Sequence, residues 1–469
     1  MKGGTNSEKK EKNRGNAVDM TSGPIVGPLI RFILPLIGGG VFQQLYNTVD
    51  FIFIGNVLNK TSAAAVGAGS TLIYCSIGLF SGISVGTSVV TAQAVGANNR
   101  ERTEKALHTS VAFSLWGGIA MMAAGLLLAP LILEGLRTPE TAMPEAVLYF
   151  RVYMLSVPAM ILYNTCSGAL RAIGDSKTPF HILVFCGFVN VAMDAFFLLV
   201  VPWGVAGVAA ATLISQGLSA VLILFALKKK GGPLRLEAKK IAVDRRVLKD
   251  ILRIGLPTGI QTVFITFSNI IVQYHINFFG ETAVAAFAAY YKAENFIYLP
   301  ILAFGQAATT FAGQNAGAGE LARIRRGSHI IAALCVFITA AVAGGILLFP
   351  DTVFRWFIKD GSVIADAVLI ASVSFPFYWL NAFVEVYGGA VRGMGYALTP
   401  MVIVITCICL FRVVLLSVFA KTVYTLEAVA SVYPLSWGAA ALFLTVTFIV
   451  VLRKNIAARS AKSAQSISK

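Results

Sequence analysis

Charge is scarce in this sequence. Of 469 residues only 13% are Asp, Glu, Lys or Arg, and histidine occurs four times. A soluble chain of this length needs far more charge to cover its surface, so an ordinary soluble domain is excluded. No HExxH, GxSxG or P-loop pattern occurs, and no stretch outside the apolar runs is long enough to hold a catalytic or nucleotide-binding domain. The chain is therefore expected not to be an enzyme and not to be driven directly by ATP. Short alternating segments, the mark of a membrane β-barrel, are also missing. The six cysteines (Cys75, Cys166, Cys186, Cys335, Cys407, Cys409) fall inside or at the edges of apolar runs. Cys407 and Cys409 point to different helix faces, so neither a disulfide framework nor a zinc site is expected. The polar stretch through Gly23 has no apolar core of the kind a cleavable signal carries.

Hydrophobic residues, by contrast, make up 57% of the chain. They gather in runs near the ~20 residues that cross a bilayer core, where helices satisfy their own backbone. We place twelve spans, at 28–54, 62–96, 105–133, 146–170, 178–201 and 204–227, then at 247–278, 282–317, 327–349, 363–391, 399–420 and 430–451. Several exceed the membrane thickness and must tilt, kink or project.

The net charge of +16 is spread unevenly. Lys2, Lys9, Lys10, Lys12 and Arg14 precede the first span, Arg100, Arg102 and Lys105 follow the second, and Arg323, Arg325 and Arg326 follow the eighth. The segment between spans 6 and 7 runs from Lys228 through Lys240 to Arg246 and Lys249 and is densely basic, and the C-terminal tail is basic too. The alternate loops hold only Lys60, Arg137, Arg355, Lys359 and Lys421. That asymmetry puts both termini and the central linker in the cytoplasm of a multi-pass protein of the bacterial inner membrane. It accounts for the basic charge through topology and lipid contact rather than through nucleic acid. The expected organisation is a polar tail (1–23), a six-helix lobe (24–227), a linker (228–246), a second six-helix lobe (247–452) and a basic tail (453–469). A monomer is the default expectation.

The halves repeat. Arg31–Pro35 matches Arg253–Pro257, Gly168–Gly174 matches Gly389–Gly395, and Thr178-Pro179 matches Thr399-Pro400. Each half has an even number of spans, so the repeat is parallel and substrate is expected in a central cleft between two lobes.

A charged side chain near mid-membrane costs at least ~2.5–3.5 kcal/mol, so each one retained there asks for a function. Asp50 lies in span 1 and Asp194 in span 5, with Asn190 on the same face of that span. Asp50 and Asp194 sit roughly 9–10 Å inside the outer ends of their spans, and Thr212 of span 6 roughly 12 Å inside. Two carboxylates, an amide and a hydroxyl at one depth can cage a small cation, or hold a proton between the acids. The repeat is an internal control: Asp50 maps onto Val272, Asn190 onto Phe411 and Asp194 onto Leu415, whereas Asn47 keeps its partner in Asn269. The bland reading, two satisfied packing polars, does not explain why one lobe alone has them.

Glu294 sits among Tyr290, Tyr291, Phe296 and Tyr298. That setting suits an organic cation, while a pairing with Lys292 is the plainer reading. Glu385, seven residues before Arg392, reads as an ion pair or a gate, and Arg412 in span 11 needs a partner that the sequence does not name. Pro35 frees a carbonyl in span 1 and lets that helix bend.

With Gln43–Asp50, Gly168–Pro179, Gly204–Thr212, Phe304–Ala307 and Gly313–Gly319 in this order, the chain resembles the multidrug and toxic compound extrusion (MATE) family, and in its N-lobe acids the DinF-like branch. The resemblance covers almost all of Pro24–Lys454. It implies a secondary antiporter that exports cationic amphiphilic compounds against inward Na+ or H+, with no cofactor beyond the coupling ion. It places the coupling site (the Na+ ligands, if sodium is the ion) at Asp50, Asn190, Asp194 and Thr212, and the bending helix at Pro35. Coupling acids on span 7 find no match. By the same implication the substrate cavity is lined by Gln43, Tyr46, Asn47, Tyr163, Asn164, Asn269, Glu294 and Gln306. A lipid-linked precursor flippase is the alternative of the same architecture. It calls for several inward basic residues, where this chain offers Arg412 and Lys292.

Overall fold

The computed structural model describes residues 17–57, 60–135 and 138–467. Lys2, Lys9, Lys10, Lys12, Arg14 and Arg137 lie outside the described residues, as do the side chains of Lys60 and Cys75. Among the described residues there is no strand, and twelve helices are long and apolar enough to cross a membrane. In chain order they are α1 (Val26–Val57), α2 (Lys60–Gly96), α3 (Arg100–Gly135), α4 (Met143–Ala172), α5 (Lys177–Val200) and α6 (Val205–Lys229). The second half adds α7 (Arg245–Asn277), α8 (Glu281–Ala318), α9 (Leu321–Leu348), α10 (Gly361–Gly393), α11 (Leu398–Thr422) and α12 (Leu426–Ile467). These are the twelve expected spans; the largest departure is α12, which runs on through the basic tail. The five described cysteines are free and buried.

The chain divides into two compact units. The first comprises Met1–Asp19 and Ile30–Gly259, the second Met20–Leu29 and Ile260–Lys469. The first unit thus includes the basic linker and the first half of α7. Its core joins Leu133, Phe150, Met154, Ile161 and Leu198 in one cluster and Leu107, Leu170, Ile223 and Leu234 in another. The linker is held to this unit by α3. His108 Nε2 accepts the N–H of Glu237 at 3.1 Å, Thr109 Oγ1 accepts that of Asp244 at 3.1 Å, and Lys240 pairs with Glu104 at 2.7 Å. A Cβ on Gly255 of α7 would lie 2.9 Å from Ile83 Cα, so glycine is what lets α7 and α2 meet backbone to backbone.

The repeated sequence strings have a repeated physical job. Gly174 and Gly395 take φ of 87° and 96°, the left-handed conformation that stops a helix. In the first unit Asp175 N–H reaches Leu170 O at 3.0 Å and Gly174 N–H reaches Arg171 O at 2.8 Å. In the second Tyr396 N–H reaches Val391 O at 3.1 Å and Gly395 N–H reaches Arg392 O at 2.8 Å. Both are the Schellman closure of a helix end. The helix crossings match as well. A Cβ on Gly168 would sit 2.7 Å from Ser84 O, and one on the equivalent Gly389 would sit 2.5 Å from Gly305 O.

Candidate functional site

In the first unit α1 and α5 run parallel and in step. Gly38 packs on Phe180 and Gly39 on Leu183, where a Cβ would already be at 3.2 and 3.4 Å. One turn on, Gly187 leaves the space that the rings of Phe42 and Tyr46 fill, and Phe42 also meets Phe188 at 5.2 Å between ring centres. Two turns further along α5, and one turn past Tyr46 on α1, the same register brings Asp50 to Asp194. The small residues of α1 and the glycine of α5 therefore set the spacing of the two acids. Pro35 lies inside α1, which continues unbroken past it.

The two carboxyl groups face each other within hydrogen-bonding reach. Asp194 is fully buried and Asn190 nearly so. Apart from the contact between the acids, Asp50 Oδ1, both Asp194 oxygens and Asn190 Oδ1 are buried without a hydrogen-bond partner. An orphaned buried acceptor costs about 1–3 kcal/mol, more when charged, so four of them together call for protons or a hard cation. Directly after Asp194, α5 widens into a π turn at Phe196–Val200, a distortion often found at functional sites.

The other expected residues are placed less uniformly. Thr212 is half-buried on α6, which packs against α5, and its hydroxyl donates to Val208 O of its own helix at 3.2 Å. Its lone pairs remain, and its hydrogen bond goes to its own helix rather than to the acids. Gln43 and Asn47 are exposed, Tyr46 is half-buried, and Gln306 is exposed in the otherwise buried stretch 303–315. Asn164 is half-buried and gives its backbone carbonyl to Ser84 Oγ at 2.6 Å. Tyr163 is buried in the core cluster with its hydroxyl donating to Pro179 O at 2.9 Å, so it packs the lobe interior rather than facing open space.

The second unit holds a different polar centre. Glu294 of α8 accepts a hydrogen bond from the hydroxyl of Tyr378 on α10. Lys292 is not its partner and lies 6.0 Å over Phe357 instead. Arg412 is 2% exposed. It donates to Asn269 Oδ1 of α7 at 3.2 Å and to Ser436 Oγ of α12 at 3.1 Å, and its guanidinium lies 4.6 Å over the Tyr433 ring. Tyr433 in turn meets Tyr291 hydroxyl to hydroxyl at 2.7 Å. Arg412 Nε has no partner. Glu385 pairs with Arg392 at 3.6 Å, the ion pair suggested by their spacing. Sequence reasoning misses Tyr378, Tyr433 and Ser436, because nothing in their local sequence links them to Glu294 or Arg412. The π turn Ile405–Leu410, immediately before Arg412, has no sequence signature either.

Comparison with known proteins agrees with this architecture. The MatE family model matches the chain twice, over residues 35–196 and 257–418, once per half. Probable multidrug resistance protein YpnP of Bacillus subtilis is 27% identical over 391 residues, covering 82% of this chain and 86% of that protein. Probable multidrug resistance protein NorM of Thermotoga maritima is 28% identical, covering 80% and 81%. Among solved structures, the outward-facing conformation of a multidrug resistance MATE family transporter matches with a TM-score of 0.88 at 23% identity, covering 94% of this chain and 98% of the other.

Proposed function

Because the chain belongs to the MatE family and is a multi-pass transporter rather than an enzyme, we propose that it is a multidrug antiporter of the bacterial plasma membrane. On this reading it exports cationic amphiphilic compounds in exchange for Na+ or H+, by alternating access of its two lobes, with both termini cytoplasmic. One observation carries the coupling part. Four acceptor oxygens of Asp50, Asn190 and Asp194 are buried with no hydrogen-bond partner beyond the contact between the acids. A proton between the acids, or a sodium ion held by these oxygens with Thr212 Oγ1 in reserve, satisfies them. When water enters and the ion leaves, the two like charges repel at short range, which favours a rearrangement of α1 against α5. Pro35 gives α1 a place to bend. Ion binding and cargo binding are then linked reciprocally, as antiport requires. Gln43, Tyr46, Asn47, Asn269, Glu294 and Gln306 supply the polar and aromatic contacts for cargo.

The test is ethidium efflux from cells lacking their main pumps, with wild type and Asp50→Asn at matched expression. Export by the wild type and none by the variant is the expected result. Jumps of sodium and of pH in proteoliposomes then name the ion. Full export by Asp50→Asn would remove the coupling site from Asp50. A wild type that exports nothing would turn attention to envelope lipid precursors.

A further inference from the structure

The second unit keeps a permanent positive charge where the first keeps room for a mobile one. Arg412 projects from α11 one residue past the counterpart of Asn190, and it takes Asn269, the counterpart of Asn47, as a hydrogen-bond partner. The neighbouring contact is repeated too: Ser268 Oγ leans on Ile408 O at 3.5 Å, where the first unit sets Tyr46 against Gly187. Arg412 thus lies about one turn before Leu415, the counterpart of Asp194, on the helix equivalent to α5. A lone guanidinium this deeply buried is costly unless an opposite charge balances it. The acid nearest to it along the packed rings is Glu294, for Tyr291, one turn before Glu294 on α8, meets the hydroxyl of Tyr433, on whose ring Arg412 lies. The two do not form a direct salt bridge, for Glu294 is held by Tyr378 and Arg412 by Asn269 and Ser436. Arg412 also rests on the face of Tyr433, the position an organic cation takes on an aromatic ring, and its Nε is unspent.

We infer that Arg412 is a tethered counter-cation: it balances Glu294 while the lobe holds no cargo, and it sets selectivity because an entering organic cation must displace its influence on that carboxylate and on the Tyr433 face. This rests on the export reading above and adds a residue that tunes which cations are held and how tightly. It also explains why the second lobe needs no sodium or proton of its own. A side chain already supplies the charge.

The experiment measures binding of tetraphenylphosphonium and ethidium to the purified full chain in detergent, by equilibrium dialysis and fluorescence. Wild type is compared with Arg412→Gln, Arg412→Lys, Glu294→Gln and the double variant Glu294→Gln/Arg412→Gln. Arg412→Gln is expected to bind both cations at least tenfold more tightly, Arg412→Lys to stay near wild type, and the double variant to lose the gain. The double variant leaves no uncompensated charge, so it reports even if Arg412→Gln folds poorly. In that case Glu294→Gln binding more weakly than wild type, while the double variant binds no more weakly than Glu294→Gln alone, supports the inference. Unchanged or weaker binding by a folded Arg412→Gln overturns it, as does a gain that survives in the double variant. The two levels of the argument fail separately. A wild type that binds neither cation while Arg412→Gln binds both sinks the multidrug reading and keeps the tethered charge. A wild type that binds both, with Arg412→Gln no tighter, does the reverse.

Discussion

In the first lobe the pair α1/α5 closes on two carboxylates; in the second, the equivalent pair α7/α11 closes on one guanidinium. The sequence repeat gives both pairs the same proline, Pro35 and Pro257, and the same asparagine, Asn47 and Asn269. The shared frame keeps its spacing by different means. Gly187 admits the rings of Phe42 and Tyr46 to α5, whereas Ile408 of α11 fills the corresponding place itself and offers its carbonyl to Ser268. Duplication has therefore produced one scaffold with two electrostatic roles. Acceptors left unpaired by their neighbours invite an ion that comes and goes, while a donor clamped by Asn269 and Ser436 holds its charge in place. A lobe with both kinds of centre would compete with itself for the coupling ion.

The sharpest break of this comparison removes one acid. Asp194→Asn is expected to abolish the dependence of efflux on the ion gradient, a loss on the order of 100-fold if the coupling free energy is near the upper end of the usual range. Residual transport of Asp194→Asn that still tracked sodium or pH would move the coupling site elsewhere. A milder break leaves both acids and spoils their spacing. Gly187→Leu drives a side chain into Phe42 and Tyr46, at a cost of about 1–3 kcal/mol for overpacking. It should cut gradient-driven efflux while the protein remains folded. Ile408→Leu, at the counterpart, conserves volume and should cost less than about 1.5 kcal/mol with efflux near wild type. Thermal unfolding in detergent beside vesicle efflux reads both, and equal losses from the two variants would mean that the glycine has no special role.

Much of this frame is legible in the amino-acid sequence, for identifiable reasons. Apolar runs in lipid have one economical backbone, so the twelve spans follow from hydropathy, and Asp50, Asn190 and Asp194 stand out because charge in such runs is expensive. The strings around Gly168 and Gly389 repeat because each crossing needs a residue without a side chain. What the sequence hides depends on packing between distant segments. Arg412 visibly needs a partner, but Asn269 and Ser436 come from helices 143 and 24 residues away. Depth alone groups Thr212 with the acids, and its hydroxyl turns to its own helix. The linker reads as a charged tether, whereas the backbone N–H groups of Glu237 and Asp244 are bound by His108 and Thr109 of α3. No local pattern encodes a hydrogen bond of that reach.

The two asparagines offer a smaller and more discriminating test. Asn269→Ala removes an acceptor from a buried guanidinium, and a hydrogen bond to a charged group is worth about 1.5–3 kcal/mol. Asn47→Ala, at a position exposed like that of Asn269 but not bonded to Arg412, should stay within about 0.5 kcal/mol. Melting temperatures that fall equally for both would show that Asn269 does not hold Arg412.

The smallest expected effect distinguishes how the two helix pairs begin. Asp244 stands immediately before α7 and accepts the N–H groups of Arg246 at 2.9 Å and Val247 at 3.1 Å. The hydrogen bond from Val247, with further help from Arg246 and Lys105, holds its carboxyl below the ordinary value of 3.8. Its counterpart at the start of the first lobe is not acidic, and α1 has no acidic residue in its first turn. A depressed folded-state pKa contributes stability that is present above the unfolded value and is lost as pH falls through the folded one. Wild type should therefore lose slightly more thermal stability than Asp244→Asn between pH 5 and pH 3, with the gap closing at the acid end because the protonated aspartate and the amide cap alike. Because Asp244 is well solvated, the difference should be small and should shrink little with salt, since the main bonds are to backbone N–H groups rather than to distant charges. Parallel melting curves for the two proteins across that range would show that the start of α7, like that of α1, does not rely on an ionised cap.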